Sequence, residues 1–124
     1  MENVNLKVKL FLEKENDKFM GIGVLWLLQN VRTCGSLRAA ATGMGMSYSK
    51  AFRMVEYLES SLGVPVLDRH KGGSSRGGAV LTRFGEAFTD LYDCFQKKCK
   101  KLLDEPFGEF STELEKLISV FSER

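Results

Sequence analysis

The stretch that most constrains the fold is Ser36 to Leu62, SLRAAATGMGMSYSKAFRMVEYLESSL. Ser36 is placed to N-cap a short helix, and its small residues Ala39, Ala40 and Ala41 let another backbone approach closely. Gly43 and Gly45 break the helical period, and Ser47 caps a longer helix. In that second helix Ala51, Met54, Val55, Leu58 and Leu62 recur at three- and four-residue steps, which predicts one buried stripe. A short alanine-rich helix, a glycine turn and a longer helix is the order of a helix-turn-helix. Tyr48, Ser49, Lys50 and Arg53 then sit at the exposed N-terminal end, the part of such a helix that reaches base edges in a major groove. An ordinary antiparallel helix pair with a solvated charged face satisfies the same pattern.

Val4, Leu6, Val8 and Leu10 alternate with Asn5, Lys7 and Lys9, which predicts a half-buried strand over 4–12. Glu15-Asn16-Asp17 supplies a turn, and Phe19-Met20 returns as a second strand of a small hairpin. The apolar run from Ile22 to Val31, stopped at Gly35, predicts the most buried helix, with Trp26 expected in the core rather than at a ligand.

After Gly63, two apolar runs (Val64, Val66 and Leu67; Ala79, Val80 and Leu81) flank Gly72, Gly73, Gly77 and Gly78, the pattern of a glycine-tipped wing. Arg69, His70, Lys71 and Arg76 lie beside those glycines, where bare backbone and cations together suit phosphates. The segment is not a P-loop, since it lacks the Gly-Lys-Ser/Thr ending and a helix directly after the glycines. A flexible surface loop is the alternative.

Thr82 is placed to cap a long helix, about 83–103, in which Phe84, Phe88, Leu91, Phe95 and Leu102 approach an a/d spacing. Lys97, Lys98, Lys100 and Lys101 make its far end basic, either a solvated face or a phosphate contact. Asp104-Glu105-Pro106 is expected to end it, and Thr112 with Glu115 to form the capping box of a last short helix bearing Leu114, Leu117, Ile118 and Phe121.

Composition removes several function classes. At 124 residues one domain is expected, with 104–124 forming an acidic helical extension of the unit 1–103 or part of its dimer interface. No apolar run approaches the ~18 residues of a membrane span, and the N-terminus does not resemble a signal peptide, so a cytoplasmic, nucleoid-associated protein is expected. Cys34, Cys94 and Cys99 form no CxxC pair and the chain has one histidine, so neither metal nor cofactor is expected and the thiols are read as buried and free. No pair of nucleophile and base is suggested, and no catalysis is expected. Net charge is only +2, but it is unevenly spread. Four cations oppose one acid from Asp68 to Arg83, whereas six acids oppose two cations from Asp104 onward. One face is thus suited to a polyanion and another is kept from it.

Gly35-Ser36, Ala39-Ala40, MGMSYSKAF from Met44 to Phe52 and GGAVLTRFG from Gly77 to Gly85 together resemble the N-terminal DNA-binding domain of ModE-type molybdate-responsive transcription regulators. The resemblance covers roughly residues 4 to 103. LysR-type regulators have a similar winged helix-turn-helix and Leu-Thr-x-x-Gly closure, with a shorter wing. Family members often carry tryptophan where this chain has Phe52. The full-length regulators continue into molybdate-binding C-terminal domains, and the sequence here ends at Arg124, so no oxyanion sensor is expected within it.

The expectation is therefore a mainly α winged helix-turn-helix with a short N-terminal β-hairpin, a glycine-rich β wing and a long C-terminal dimerisation helix. It implies a homodimeric, sequence-specific regulator of transcription on a pseudo-palindromic duplex-DNA operator, with no membrane partner and with any effector or partner protein unidentified. Ser47, Tyr48, Ser49, Lys50 and Arg53 would face the major groove, and Ser36 and Arg38 would contact phosphate. Arg69, Lys71, Gly72, Gly73, Ser74, Ser75, Arg76 and Gly77 would meet the flanking backbone or minor groove. Phe84, Phe88, Leu91, Phe95, Leu102, Leu114, Leu117, Ile118 and Phe121 would form the dimer interface. The rival expectation is a winged-helix protein-protein interaction module, to which acidic Glu56 and Glu59 on the second helix lend weight.

Overall fold

The computed structural model describes residues 4–69 and 79–122. The hairpin pairs β1 (Phe11–Lys14) with β2 (Asp17–Gly21), antiparallel, with a bulge between Leu12 and Glu13. Its two turn residues, Glu15 (φ 54°) and Asn16 (φ 72°), both have positive φ, the turn geometry whose twist matches paired strands. The strand begins at Phe11 and not at Val4. Phe11 pairs with Gly21, the last residue of β2, and the chain turns into helix at Ile22, so residues 4–10 have no strand to pair with among the described residues, despite their alternation.

Helix α1 (Ile22–Cys34) buries Leu25, Leu27, Leu28 and Val31 and ends at Gly35 in the left-handed conformation (φ 70°). Trp26 is 53% exposed, contrary to the expected core role. It projects from the face of α1 opposite the buried residues, on the strip shared with exposed Thr33 seven positions on. Helix α2 (Leu37–Gly43) and helix α3 (Tyr48–Leu62) follow, both packed on α1 and on each other. Ala40, Ala41, Ala51, Val55 and Leu58 are buried where they meet, while Met54 and Leu62 pack at the margin. The link between α2 and α3 needs Gly45 at φ +71°, which lets Met46 N–H return to the Ala41 carbonyl at 3.0 Å.

The wing base is a two-residue pairing of β3 (Leu67–Asp68) with β4 (Val80–Leu81), antiparallel. Its tip, residues 70–78, lies outside the described residues. Thr82 closes the wing in three ways: its N–H donates to the Val66 carbonyl (2.9 Å), its hydroxyl donates to the Pro65 carbonyl (2.8 Å), and the same hydroxyl accepts from Gly85 N–H (2.9 Å). A Cβ on Gly85 would lie 2.2 Å from the Val66 carbonyl oxygen, so only glycine lets the next helix start this close to the wing. That helix, α4 (Arg83–Leu102), is tied to α1 by Arg32, which pairs with Glu86 (2.7 Å) and Asp90 (3.1 Å).

The chain divides into two compact units, Lys9–Asp93 and a second made of the described residues before Lys9 with those from Cys94 on. The first holds the apolar core, from Met20 on β2 to Tyr92, whose hydroxyl donates to the Leu10 carbonyl at 2.8 Å. The second contains α5 (Asp104–Ser122), which starts one residue after α4 and has no buried residue. Helix α4 thus ends at Leu102, just before Asp104-Glu105-Pro106 as expected, and Pro106 opens the next helix. It is the third residue of α5, where its missing N–H has no intrahelical partner to lose, and the first helical bond runs from Phe107 N–H to the Leu103 carbonyl (3.0 Å). Thr112 consequently lies inside α5 and not at a cap. Cys34 and Cys94 are exposed and Cys99 is half-buried, which corrects the expectation of buried thiols.

Candidate nucleic-acid interface

Two serines set the ends of α2 and α3. Ser36 Oγ accepts from Ala39 N–H and Ser47 Oγ from Lys50 N–H, each at 3.1 Å. Each satisfies one of the amides that a helix start leaves without a partner. The N-terminal turns are thereby fixed, and Ser49, Lys50 and Arg53 stand exposed on α3. Ser49 and Arg53 are four residues apart, and Lys50 and Arg53 three, so all three project from adjoining strips of one helix surface.

Beside them runs a stack that sequence reasoning did not find. The Arg38 guanidinium lies 4.1 Å from the Tyr48 ring centroid. Tyr48 meets Phe52 with centroids 6.1 Å apart, and Arg69 sits 5.0 Å over the Phe52 ring. Arginine, tyrosine, phenylalanine and arginine thus link the first turn of α2, the first two turns of α3 and the end of β3. Tyr48 and Phe52 are one helical turn apart, but Arg38 and Arg69 stand 10 and 17 positions from their ring partners, and no local period announces those two contacts.

Glu59 also departs from its expected role. Its Oε2 accepts from the Val66 and Leu67 amides (2.8 and 3.1 Å), and its Oε1 lies 3.7 Å from Arg69 Nη1. The carboxylate is consumed by the wing base, whereas Glu56 is exposed. Arg69 is accordingly shared between an ion pair and a ring, and is less available as a free cation than its position in the sequence implies.

Of the candidate DNA-contacting residues, Ser36, Arg38, Ser47, Tyr48, Ser49, Lys50, Arg53 and Arg69 fall within the described residues. Lys71, Gly72, Gly73, Ser74, Ser75, Arg76 and Gly77 lie outside them. Of the candidate dimer residues, Phe84 and Phe88 are half-buried against the core and stack on each other at 6.0 Å. Leu91, Phe95, Leu102, Leu117, Ile118 and Phe121 are exposed, and Leu114 is half-buried. Among the described residues no group of three or more His, Cys, Asp or Glu could hold a metal ion, and no helix is long and apolar enough to cross a membrane.

A three-helix core, a paired wing base closing on Thr82 and Gly85, and a cationic start to α3 define a winged helix-turn-helix of the DNA-binding kind. The model of the bacterial regulatory helix-turn-helix proteins of the lysR family matches residues 24–86. The chain belongs to that family. It is similar to the molybdenum-pterin-binding protein MopB of Rhodobacter capsulatus, with 37% identity over 84 residues, 68% of this chain and 31% of that protein. With the DNA-binding transcriptional dual regulator ModE of Escherichia coli K12 it shares 27% identity over 116 residues, 94% of this chain and 44% of that protein. The crystal structure of the CbnR DNA-binding domain in complex with DNA superimposes with a TM-score of 0.58 at 26% identity, covering 73% of this chain and 98% of that one. The chain is thus a ModE-like DNA-binding domain that spans less than half the length of these curated relatives.

Proposed function

We propose that the chain acts as a homodimeric transcription regulator that binds a pseudo-palindromic duplex-DNA operator in a sequence-specific manner. The observation that carries this reading is the exposed N-terminal end of α3, where Ser49, Lys50 and Arg53 project beside the Arg38–Tyr48 stack. These side chains donate hydrogen bonds and carry positive charge, and the N-terminal residues of a recognition helix are those that contact base edges. Arg38 and the wing cations would hold the flanking phosphates, which position the domain without reading sequence.

Dimerisation is supported by α5, none of whose 19 residues is fully buried, and by Leu102 and Phe121, which are 76% and 75% exposed. Apolar residues left in water along a helix this long usually mark an interface. A two-fold pair would present two α3 helices to successive major grooves ~34 Å apart. The cytoplasm, on the nucleoid, is the expected place of action. The rival reading, a protein-interaction module, loses the support of Glu59, whose carboxylate is engaged at the wing base.

Selection of bound duplexes from a random pool tests this function. A recurring inverted-repeat site should emerge, and Arg53→Ala should reduce the preference for that site over unrelated duplex by about 1–3 kcal/mol. A pool that shows no enrichment after selection would overturn the reading.

A further inference from the structure

On the flank of α3 that faces the hairpin lies a cleft of about 510 Å3, formed by β1, β2, the start of α1 and α3, all within the unit Lys9–Asp93. Its volume is within the range of small-molecule sites, ~300–1,000 Å3. The walls are apolar: Phe19, Met20, Ile22 and Val24 on one side and Met54 of α3 on the other. The polar groups at its edge are Lys9, Lys18 and Lys50 with Tyr57, and no carboxylate lines it. None of these three lysines makes an ion pair among the described residues, and Lys18 lies 5.6 Å over the Phe11 ring. Partial burial and the Asp17 carboxylate, to which its hydroxyl is hydrogen-bonded, raise the Tyr57 phenol above its usual pKa, with Glu15 adding to the effect, so this hydroxyl is directed to the hairpin turn and the lysines are the groups left for an anion.

An apolar hollow rimmed by lysines suits neither a phosphate backbone, which has no apolar body to bury, nor an apolar cation. We propose that this cleft binds a small organic carboxylate with an aromatic or branched apolar body, the body against Met20, Ile22 and Met54 and the carboxylate among Lys9, Lys18 and Lys50. Lys50, Met54 and Tyr57 are spaced i, i+4, i+7, so the ligand lies along α3 itself. It neutralises Lys50, one of the cations of the proposed DNA face, and ligand and DNA therefore weaken each other's binding reciprocally. This coupling rests on the DNA reading; the binding does not.

The test uses the full chain, 1-naphthoate as probe, and 1-naphthylmethylammonium and acetate as controls, read by the methyl resonances of Met20, Ile22 and Met54. Naphthoate should shift them saturably, and the ammonium analogue and acetate should bind at least about tenfold more weakly. Lys9→Gln combined with Lys18→Gln should weaken naphthoate by about tenfold or more and leave DNA affinity without ligand nearly unchanged. Unmoved methyls at millimolar naphthoate, equal binding of the ammonium analogue, or shifts that follow protein concentration and not ligand would each overturn the site, the last by making the cleft a contact between copies. Saturable methyl shifts with DNA affinity unaltered by naphthoate would overturn the coupling alone. A chain that takes up naphthoate but binds no duplex at all would refute the DNA reading and leave the cleft assigned.

Discussion

The guanidinium of Arg38 lies 4.1 Å from the centre of the Tyr48 ring, which joins the first turn of α2 to the first residue of α3. An exposed cation over an aromatic face contributes about 0.5–1 kcal/mol. Arg38→Ala should therefore lower stability by about that amount in urea melts. Because Arg38 is also proposed to meet a phosphate, DNA affinity should fall evenly across sequences, with a salt dependence shallower by about one ion. Arg38→Lys keeps the charge without the planar stack, and should restore more of the DNA affinity than of the stability.

Gly85 and Gly108 make an opposed pair. A Cβ on Gly85 meets the Val66 carbonyl oxygen, whereas one on Gly108 meets nothing within 4 Å. Gly85→Ala should destabilise by about 1–3 kcal/mol or more, as overpacking does, and Gly108→Ala, inside α5, should stabilise that helix by about 0.5–1 kcal/mol. Urea unfolding followed by circular dichroism reads both. Equal effects of the two changes would show that the wing closure does not depend on the bare backbone of Gly85.

Tyr92 ties stability to alkaline pH. Burial raises its phenol above the usual value, so the folded chain holds this proton more tightly than the unfolded chain does. The contribution is fully present below the unfolded pKa near ~10 and is lost as pH rises through the folded value. Tyr92→Phe removes both the titration and the hydrogen bond to the Leu10 carbonyl. It should cost about 0.5–1.5 kcal/mol at neutral pH and give a flatter decline than wild type between roughly pH 9 and 11.

Phe95→Glu combined with Leu102→Glu tests the proposed dimer. The double variant should keep a wild-type circular dichroism spectrum, sediment as a monomer, and bind a full operator about a hundredfold more weakly, the effective-concentration advantage of a linked pair being lost. Wild-type protein that sediments as a monomer at tens of micromolar would count against the dimer.

What could be read from the sequence was what neighbours in the chain decide. Ser36, Ser47, Gly35 and Gly45 act on amides and dihedrals within four residues of themselves, and the structure finds their helix boundaries where the pattern placed them. The reading failed where a distant partner, or its absence, decides. Val4 to Leu10 alternate like a strand but have no strand beside them among the described residues. Trp26 is apolar in an apolar run but lies off the buried arc of α1. Pro106 follows the end of α4 as read but does not keep the chain out of helix, because it lies in the first turn of α5, whose first bond returns to Leu103. At the candidate interface, the cationic end of α3 was legible from caps and spacing. The stack through Phe52 and the inward turn of Glu59 were not, since each depends on β3 lying against α3.

That single carboxylate makes the domain a gauge of fixed span. By holding the Val66 and Leu67 amides from α3, Glu59 ties the wing base to the helix proposed to enter the major groove. In the proposed complex, two stretches of duplex would be touched at a separation set by the protein and not adjusted to each sequence. Sites would then be sorted partly by how cheaply their grooves adopt that separation, a discrimination exerted at base pairs that no side chain contacts.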